Sequence, residues 1–243
     1  MRNVNAFLYD GFTMEKLARQ QIVEVLSSRG WLSSQSESFR NDVFNLGVSQ
    51  YFSAGSVIYR VGDAPGGVYG VVSGGLLASL SVPDEVPRPM QFGTPGGWVG
   101  IMPFFDGGER RATLQAATNC LLFHLPLNAM EAMVAKNPEA IRAFGQIATA
   151  NLQSMVELLH ILMLPNAERR IAATLFRAAR SKMVELPLTQ ANLAAMANTS
   201  TRQVSASLRE FAEAGLVRTS YRAIRILDLD RLGVLAATER DHD

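Results

Sequence analysis

The chain has 243 residues, 48% of them hydrophobic, and its 23 basic and 22 acidic side chains leave a formal net charge of +1. That length can bury one large core or two moderate ones, and two is the better expectation. A single cysteine, Cys120, excludes a disulfide framework and any four-cysteine zinc or iron–sulfur site within one chain, while Glu157 and His160 break the most apolar stretch well short of a membrane span.

The opening MRNVNAFLYDGF is interrupted by Asp10 too early for a secretory signal, so the cytoplasm is the expected compartment and no membrane partner is expected. Residues 1–35 read as a helical extension. Thr13 can cap a helix whose apolar positions Leu17, Ile22, Val25 and Leu26 share one side, and Gly30 with the serine-rich LSSQSES ends it. Phe39, Val43 and Phe44 then suggest a second short helix.

From about Gln50 to Leu125 the pattern changes to short apolar or alternating runs punctuated by glycine, and 13 of the 19 glycines lie between Gly55 and Gly108. Such density suits a series of tight turns, and an all-β sandwich or roll of about eight strands follows.

Between Pro138 and Leu164, the residues Ile141, Gly145, Ala148, Leu152, Met155, Leu159 and Leu162 recur at alternating steps of four and three on one long helix, with Arg142 and Glu157 the charged residues after Ile141. A heptad seam with so little charge calls for a second helix alongside it; the plain alternative is a core helix of one domain. The expected dimer contacts are Ile141, Phe144, Ala148, Leu152, Met155, Leu159 and Leu162.

Pro165 stops this helix and Asn166 can cap the next, AERRIAATLFRAAR. The segment LPLTQANLAAMANTSTRQVSASLREFAEAGLVRTS then reads as helix, turn, helix. Thr189 caps the first helix, Asn198 and Thr199 make the turn, Ser200 and Gln203 form a capping box on the second, and Gly215 closes it. In the second helix Val204, Leu208 and Phe211 face inward, whereas Thr201, Arg202, Ser205 and Arg209 face out. Short polar and arginine side chains near a helix N-terminus suit base edges in a major groove. An ordinary helical hairpin with a solvated face is the plain alternative. Residues 216–227 add a small hairpin, the wing of a winged helix-turn-helix, carrying Arg218, Arg222 and Arg225. Ala167 to Leu227 holds ten basic residues, including Arg180 and Lys182, against four acidic ones, the balance expected of a surface that meets phosphates.

This order of segments resembles the CRP/FNR family of bacterial transcription regulators over roughly residues 36–235, most clearly in GDAPGGVYGVVSGG (Gly62 to Gly75) and the C-terminal helices. The resemblance implies an α+β fold: an N-terminal jelly-roll-like β-roll (a double-stranded β-helix), a long dimerisation helix and a C-terminal winged helix-turn-helix. The implied units are a cyclic-nucleotide-binding-like sensor at 36–137, the dimer helix at 138–165 and the DNA-binding domain at 166–235; outside the resemblance stand a helical extension at 1–35 and an acidic tail at 236–243. It places base readers at Thr201, Arg202 and Ala206, and the wider DNA-binding set is Thr189, Gln190, Ser200, Thr201, Arg202, Gln203, Ser205, Ala206, Arg209, Arg218 and Arg222. Arg202 and Ala206 stand where the common family pattern has a glutamate and an arginine, so a different DNA site is expected.

The resemblance also places an effector pocket at Gly100, Ile101, Met102, Arg111, Ala112, Met155 and Val156. Gly100 and Arg111 match the family's phosphate-facing pair, but Ile101 replaces the ribose-binding carboxylate, Ala112 a serine, and Met155 with Val156 the hydroxyl pair that meets adenine. An unpaired ribose hydroxyl against isoleucine costs about 1–3 kcal/mol, so cyclic AMP is disfavoured. Ile101, Met102, Pro103, Phe104 and Phe105 suit a greasy effector or a filled-in pocket equally. Isolated His124, His160 and His242 give no case for haem, and one cysteine cannot hold an iron–sulfur cluster. The cofactor stays undefined and no metal ligand set is present.

The expected function is therefore a homodimeric regulator binding palindromic double-stranded DNA, with RNA polymerase as partner if it activates. The alternatives are an effector-binding module acting on a protein partner and an effector-independent DNA-binding protein. No nucleophile, metal-ligand spacing or P-loop points to an enzyme.

Overall fold

The computed structural model describes residues 18–80, 88–179 and 185–237. The expectations placed on Thr13, Leu17, Arg180, Lys182 and the end of the tail lie outside them. The first described helix, α1 (18–28), buries Ala18, Ile22 and Leu26 at four-residue spacing. It ends at Gly30, where φ is +70° and an added Cβ would strike the backbone of Gly96, so only glycine fits. A 3-10 turn, Trp31–Ser34, leads to α2 (Glu37–Leu46), which Ser36 caps by accepting the Phe39 N–H.

Eight strands follow: β1 (Val48–Phe52), β2 (Val57–Tyr59), β3 (Val68–Ser73), β4 (Leu76–Leu80), β5 (Arg88–Gly93), β6 (Trp98–Val99), β7 (Thr113–Ala116) and β8 (Cys120–Leu125). They make two four-stranded sheets, ordered β1-β8-β3-β6 and β2-β7-β4-β5, with every pairing antiparallel. The short helix α3 (Met102–Asp106) interrupts the run between β6 and β7. This is the expected β-roll, and its strand count agrees with the glycine punctuation.

The period-two geometry of strands divides the roll into two cores. Tyr69 and Val71 of β3, with Cys120 and Leu122 of β8, point between the sheets toward Leu76 and Leu114. The intervening Val68, Val72, Leu121, Phe123 and Leu125 point the other way, toward α1, the 3-10 turn and the helices that follow. Both faces of β3 and β8 are thus covered, which is why these strands are almost continuously apolar.

After α4 (Leu127–Lys136) comes the long helix α5 (Ala140–Met163). Ala140, Phe144 and Ile147 enter the second core, and the Phe144 ring meets Trp31, Phe39 and Phe104 edge-on or tilted at 5.2–5.9 Å between centroids. Leu164 and Pro165 break the helix, and Asn166 accepts the Glu168 N–H to start α6 (Ala167–Ala179).

The C-terminal unit adds β9 (Glu185–Leu186), α7 (Gln190–Met196), α8 (Thr201–Glu213), β10 (Val217–Ser220), β11 (Ala223–Ile226) and α9 (Leu229–Ala237). Its sheet is ordered β10-β11-β9, and its core gathers Ile171, Leu175, Leu193, Val204, Leu208, Phe211 and Leu232. Leu77 of β4 and Phe92 of β5 belong to the same apolar cluster, so the β-roll and the C-terminal unit share buried surface.

Candidate nucleic-acid interface

The helix pair α7–α8 is set by local chemistry. Thr189 accepts the Asn192 N–H at 3.1 Å to open α7, and Ser200 accepts the Gln203 N–H at 3.1 Å to open α8. Between them Asn198 takes φ +46°, a left-handed turn that asparagine tolerates better than most residues. At the far end the Leu216 N–H reaches the Phe211 carbonyl and the Gly215 N–H reaches Ala212, a Schellman closure with Gly215 at φ +72°.

Packing then sorts the faces of α8. Val204, Ser207, Leu208 and Phe211 are buried, while Thr201, Arg202, Gln203, Ser205 and Arg209 are exposed and Ala206 is half-buried between them. Gln190 is exposed at the start of α7. Thr189 is half-buried and, with Asn192 and Arg222, lines a cleft facing Gly55 and Asn119 of the roll.

The wing is a two-residue hairpin whose tip is Tyr221 and Arg222, with Arg222 at φ +58°. Arg218 on β10 pairs in register with Arg225 on β11, and Arg225 pairs with Glu185 on β9. The row therefore contains one acid that the basic tally treated only as a subtraction. Tyr221 is 90% exposed, an aromatic group at the wing tip that hydrophobic patterning does not single out.

Several arginines counted toward a basic surface serve the fold instead. Arg169 is buried and donates to the carbonyls of Ala236 and Ala237 at the end of α9. Arg170 donates to Leu164 and Pro165 at the break after α5, and to Ala197 and Asn198 in the helix-turn-helix turn. One side chain thus ties the long helix to the DNA-binding pair. No sequence pattern announces it, because its four acceptors are backbone carbonyls from two separate segments.

The residues expected to form an effector pocket lie in different environments within the chain. Ile101 is 1% exposed within the core beside α1 and α5, Met102 is exposed on α3, and Val156 is exposed on the outer side of α5 with Met155 half-buried beside it. Arg111 is a surface residue paired with Asp106 at 2.6 Å, and next to it Ala112 is half-buried. The interior guanidinium belongs to Arg110. It is 3% exposed, donates to the Gly100 and Gly67 carbonyls at 2.8 Å each, and lies over the Tyr59 ring. Gly100 is required beside it: at φ +92°, an added Cβ would come within 2.6 Å of Arg110 Nη1. No strand period announces this residue, because β7 begins at Thr113 and the chain bends at Ala112, which leaves Arg110 outside the alternation.

The expected dimer contacts divide. Phe144 is fully buried in its own chain and is not an interface residue. Leu152 and Leu159 are 64% and 60% exposed, Ile141 and Leu162 are exposed, and Ala148 and Met155 are half-buried. A Cβ added to Gly145 would meet nothing within 4 Å. The helix therefore carries two adjacent stripes, one through Phe144, Ile147, Leu158 and Ile161 turned inward, the other through Ile141, Leu152, Leu159 and Leu162 left uncovered.

Comparison with known proteins bears on both domains. The cyclic nucleotide-binding domain profile matches residues 49–137, and the Crp-like helix-turn-helix domain profile matches residues 169–235. The chain is 29% identical over 197 residues to the transcriptional regulator SdrP of Thermus thermophilus, covering 76% of this chain and 92% of that protein. It is 22% identical over 189 residues to a CRP-like cAMP-activated global transcriptional regulator of Mycobacterium tuberculosis, covering 74% and 84%. The solved structure of FixK2 from Bradyrhizobium japonicum superposes with a TM-score of 0.70 at 18% identity, over 80% of this chain and 99% of that one, a likeness of fold.

Proposed function

The chain belongs to the CRP/FNR family of transcription regulators, with a helix-turn-helix DNA-binding domain, and from that premise we propose that it works as a homodimer on a palindromic site, under a signal other than cyclic AMP. The observation that carries the reading is α8: its apolar face fills the domain core while Thr201, Arg202, Gln203, Ser205 and Arg209 stand outside on one exposed face. In this proposal that face enters the major groove, with Thr201 and Arg202 at base edges and Arg209, Arg218 and Arg222 near phosphates.

Dimerisation is supported by the uncovered stripe of α5. Burying a fully exposed leucine side chain contributes about 1.5–3 kcal/mol, so pairing Leu152, Leu159 and Leu162 with their copies favours the association of two long helices against its entropy cost. Two-fold symmetry along α5 would present the recognition helices to half-sites roughly 34 Å apart.

A signal other than cyclic AMP is supported by the roll interior. Arg110 is already engaged by two carbonyls and an aromatic ring, and Ile101, which the resemblance sets opposite a ribose-binding carboxylate, is a buried apolar side chain. The test is fluorescence anisotropy of the full chain with palindromic and scrambled duplexes across a salt series. Preference for the palindrome, two chains per duplex and a steep fall of affinity with salt are expected. Equal binding to both duplexes at every salt concentration overturns the reading.

A further inference from the structure

A cleft of about 460 Å³ opens where the β-roll, α5 and the C-terminal unit meet. It is separate from the roll interior that holds Arg110. Trp31 and Met196 form part of its apolar wall, and Gln91, Asn151, Ser154, Glu157 and Arg177 bring polar groups to it from β5, α5 and α6, with the Glu157 carboxylate beside the Arg177 guanidinium.

Gln91, Ser154 and Arg177 are joined by hydrogen bonds, while two further donors at the cleft, on Asn151 and Trp98, have no acceptor among the described residues. Gln91 Nε2 donates to Ser154 Oγ at 2.6 Å, and Arg177 Nη1 reaches the Ser154 carbonyl and hydroxyl at 3.1 and 3.2 Å. The Asn151 amide makes no hydrogen bond among the described residues. Trp98, which also lines the cleft, is 4% exposed, and its indole N–H has no partner among the described residues. A buried donor without an acceptor is costly, and a ligand that brings oxygens removes the cost. Arg177 is itself half-buried; burial lowers its pKa, with the neighbouring Glu157 carboxylate acting in the opposite sense.

We propose that this junction cleft binds a small organic anion, a carboxylate or sulfonate on an aromatic or aliphatic body, and that its occupancy sets how the DNA-binding unit sits on the β-roll. The acidic group meets Arg177 and Asn151, and the apolar body lies against Trp31 and Met196. Because Trp31, Asn151 and Arg177 belong to the turn packed on the roll, the long helix and the C-terminal unit in turn, a ligand touching all three favours one arrangement of them. The regulatory half rests on the DNA-binding function proposed above; binding in the cleft does not.

The probe is 1-anilinonaphthalene-8-sulfonate, titrated by fluorescence into the full-length protein without DNA. One saturable site per chain is expected. Asn151→Leu, which removes no contact from the free protein, should weaken it about tenfold, as should Arg177→Gln. Absence of saturable binding, or equal binding by wild type and both variants, overturns the site. In a second arm, saturating probe should change affinity for the palindromic duplex about fivefold or more in wild type, within the usual coupling range, and the probe concentration that gives half of this change should be about tenfold higher for Asn151→Leu. Binding without any such change overturns the regulatory half alone. Failure of the free protein to bind DNA counts against the proposed function and leaves the titration result standing.

Discussion

The guanidinium carbon of Arg110 lies 4.3 Å from the centroid of the Tyr59 ring, and the same side chain donates to the carbonyls of Gly67 and Gly100. Burial pushes the Tyr59 phenol up to about 12; the Arg110 charge pulls it back and Tyr69 adds to the rise. Three separate segments, around Tyr59, Gly67 and Gly100, are pinned by one cation.

Arg110→Leu should therefore destabilise the β-roll by at least about 3 kcal/mol, because two carbonyls lose their donor and the ring loses its stacked partner. Arg111→Ala, which removes only a solvent-exposed pair with Asp106, should leave the midpoint where it was. Urea unfolding of both variants decides the matter. Comparable losses would mean that the interior role is wrongly assigned to Arg110.

On α5 the two stripes predict opposite phenotypes. Leu152→Lys together with Leu159→Glu should yield folded monomers by sedimentation velocity, with near-native circular dichroism, since both side chains face outward. Phe144→Ala should cost about 3–5 kcal/mol of stability and leave the assembly state of the folded fraction unchanged, because its ring fills the intrachain cluster with Trp31, Phe39 and Phe104. A stable monomer from Phe144→Ala would reverse the assignment.

DNA binding separates readers from anchors. Arg202→Ala is expected to relax discrimination at particular base pairs by about 1–3 kcal/mol with little change in non-specific affinity, whereas Arg222→Ala should weaken all sequences alike and lower the salt slope by roughly one. Ser200→Ala removes the cap that accepts the Gln203 N–H and should lower domain stability by about 1 kcal/mol. Competition binding against a library of single-base variants distinguishes the first two. A uniform loss from Arg202→Ala would reduce that residue to a phosphate contact.

His124 stacks on Tyr69 with 4.4 Å between ring centroids, and its pKa is lowered, first by burial and then by Arg110, against a hydrogen bond to Gly66 that raises it. The unfolded chain then binds more protons than the folded one as pH falls from about 6.5, the ordinary histidine value, so stability should decline across that range. The slope ends below the folded-state pKa, where both states are protonated. His124→Gln should flatten the profile in thermal melts taken from pH 7.5 down to pH 5; an unchanged slope would assign the effect to other groups.

Much of this architecture is local and was therefore legible in the chain itself. Glycine spacing and alternation marked the roll, Pro165 and Asn166 marked the break after α5, and Thr189, Ser200 and Gly215 bounded the recognition pair, because each acts on backbone groups within a few residues. Even the two-sided character of α8 follows from helical period alone.

What periodicity could not decide was which apolar face meets which neighbour. Phe144 and Leu152 are both large and apolar on one helix, yet one is fully buried and the other is 64% exposed, since only the folded roll supplies Trp31, Phe39 and Phe104 on one side. The same limit governs the arginines. Arg110 and Arg111 are neighbours of identical type just before β7, yet one is buried against the Gly67 and Gly100 carbonyls and the other pairs with Asp106 at the surface. Residue type and local period specify elements and their caps; the destination of a side chain that reaches across the fold depends on contacts far away in sequence, and those exist only once the sheets and helices have packed.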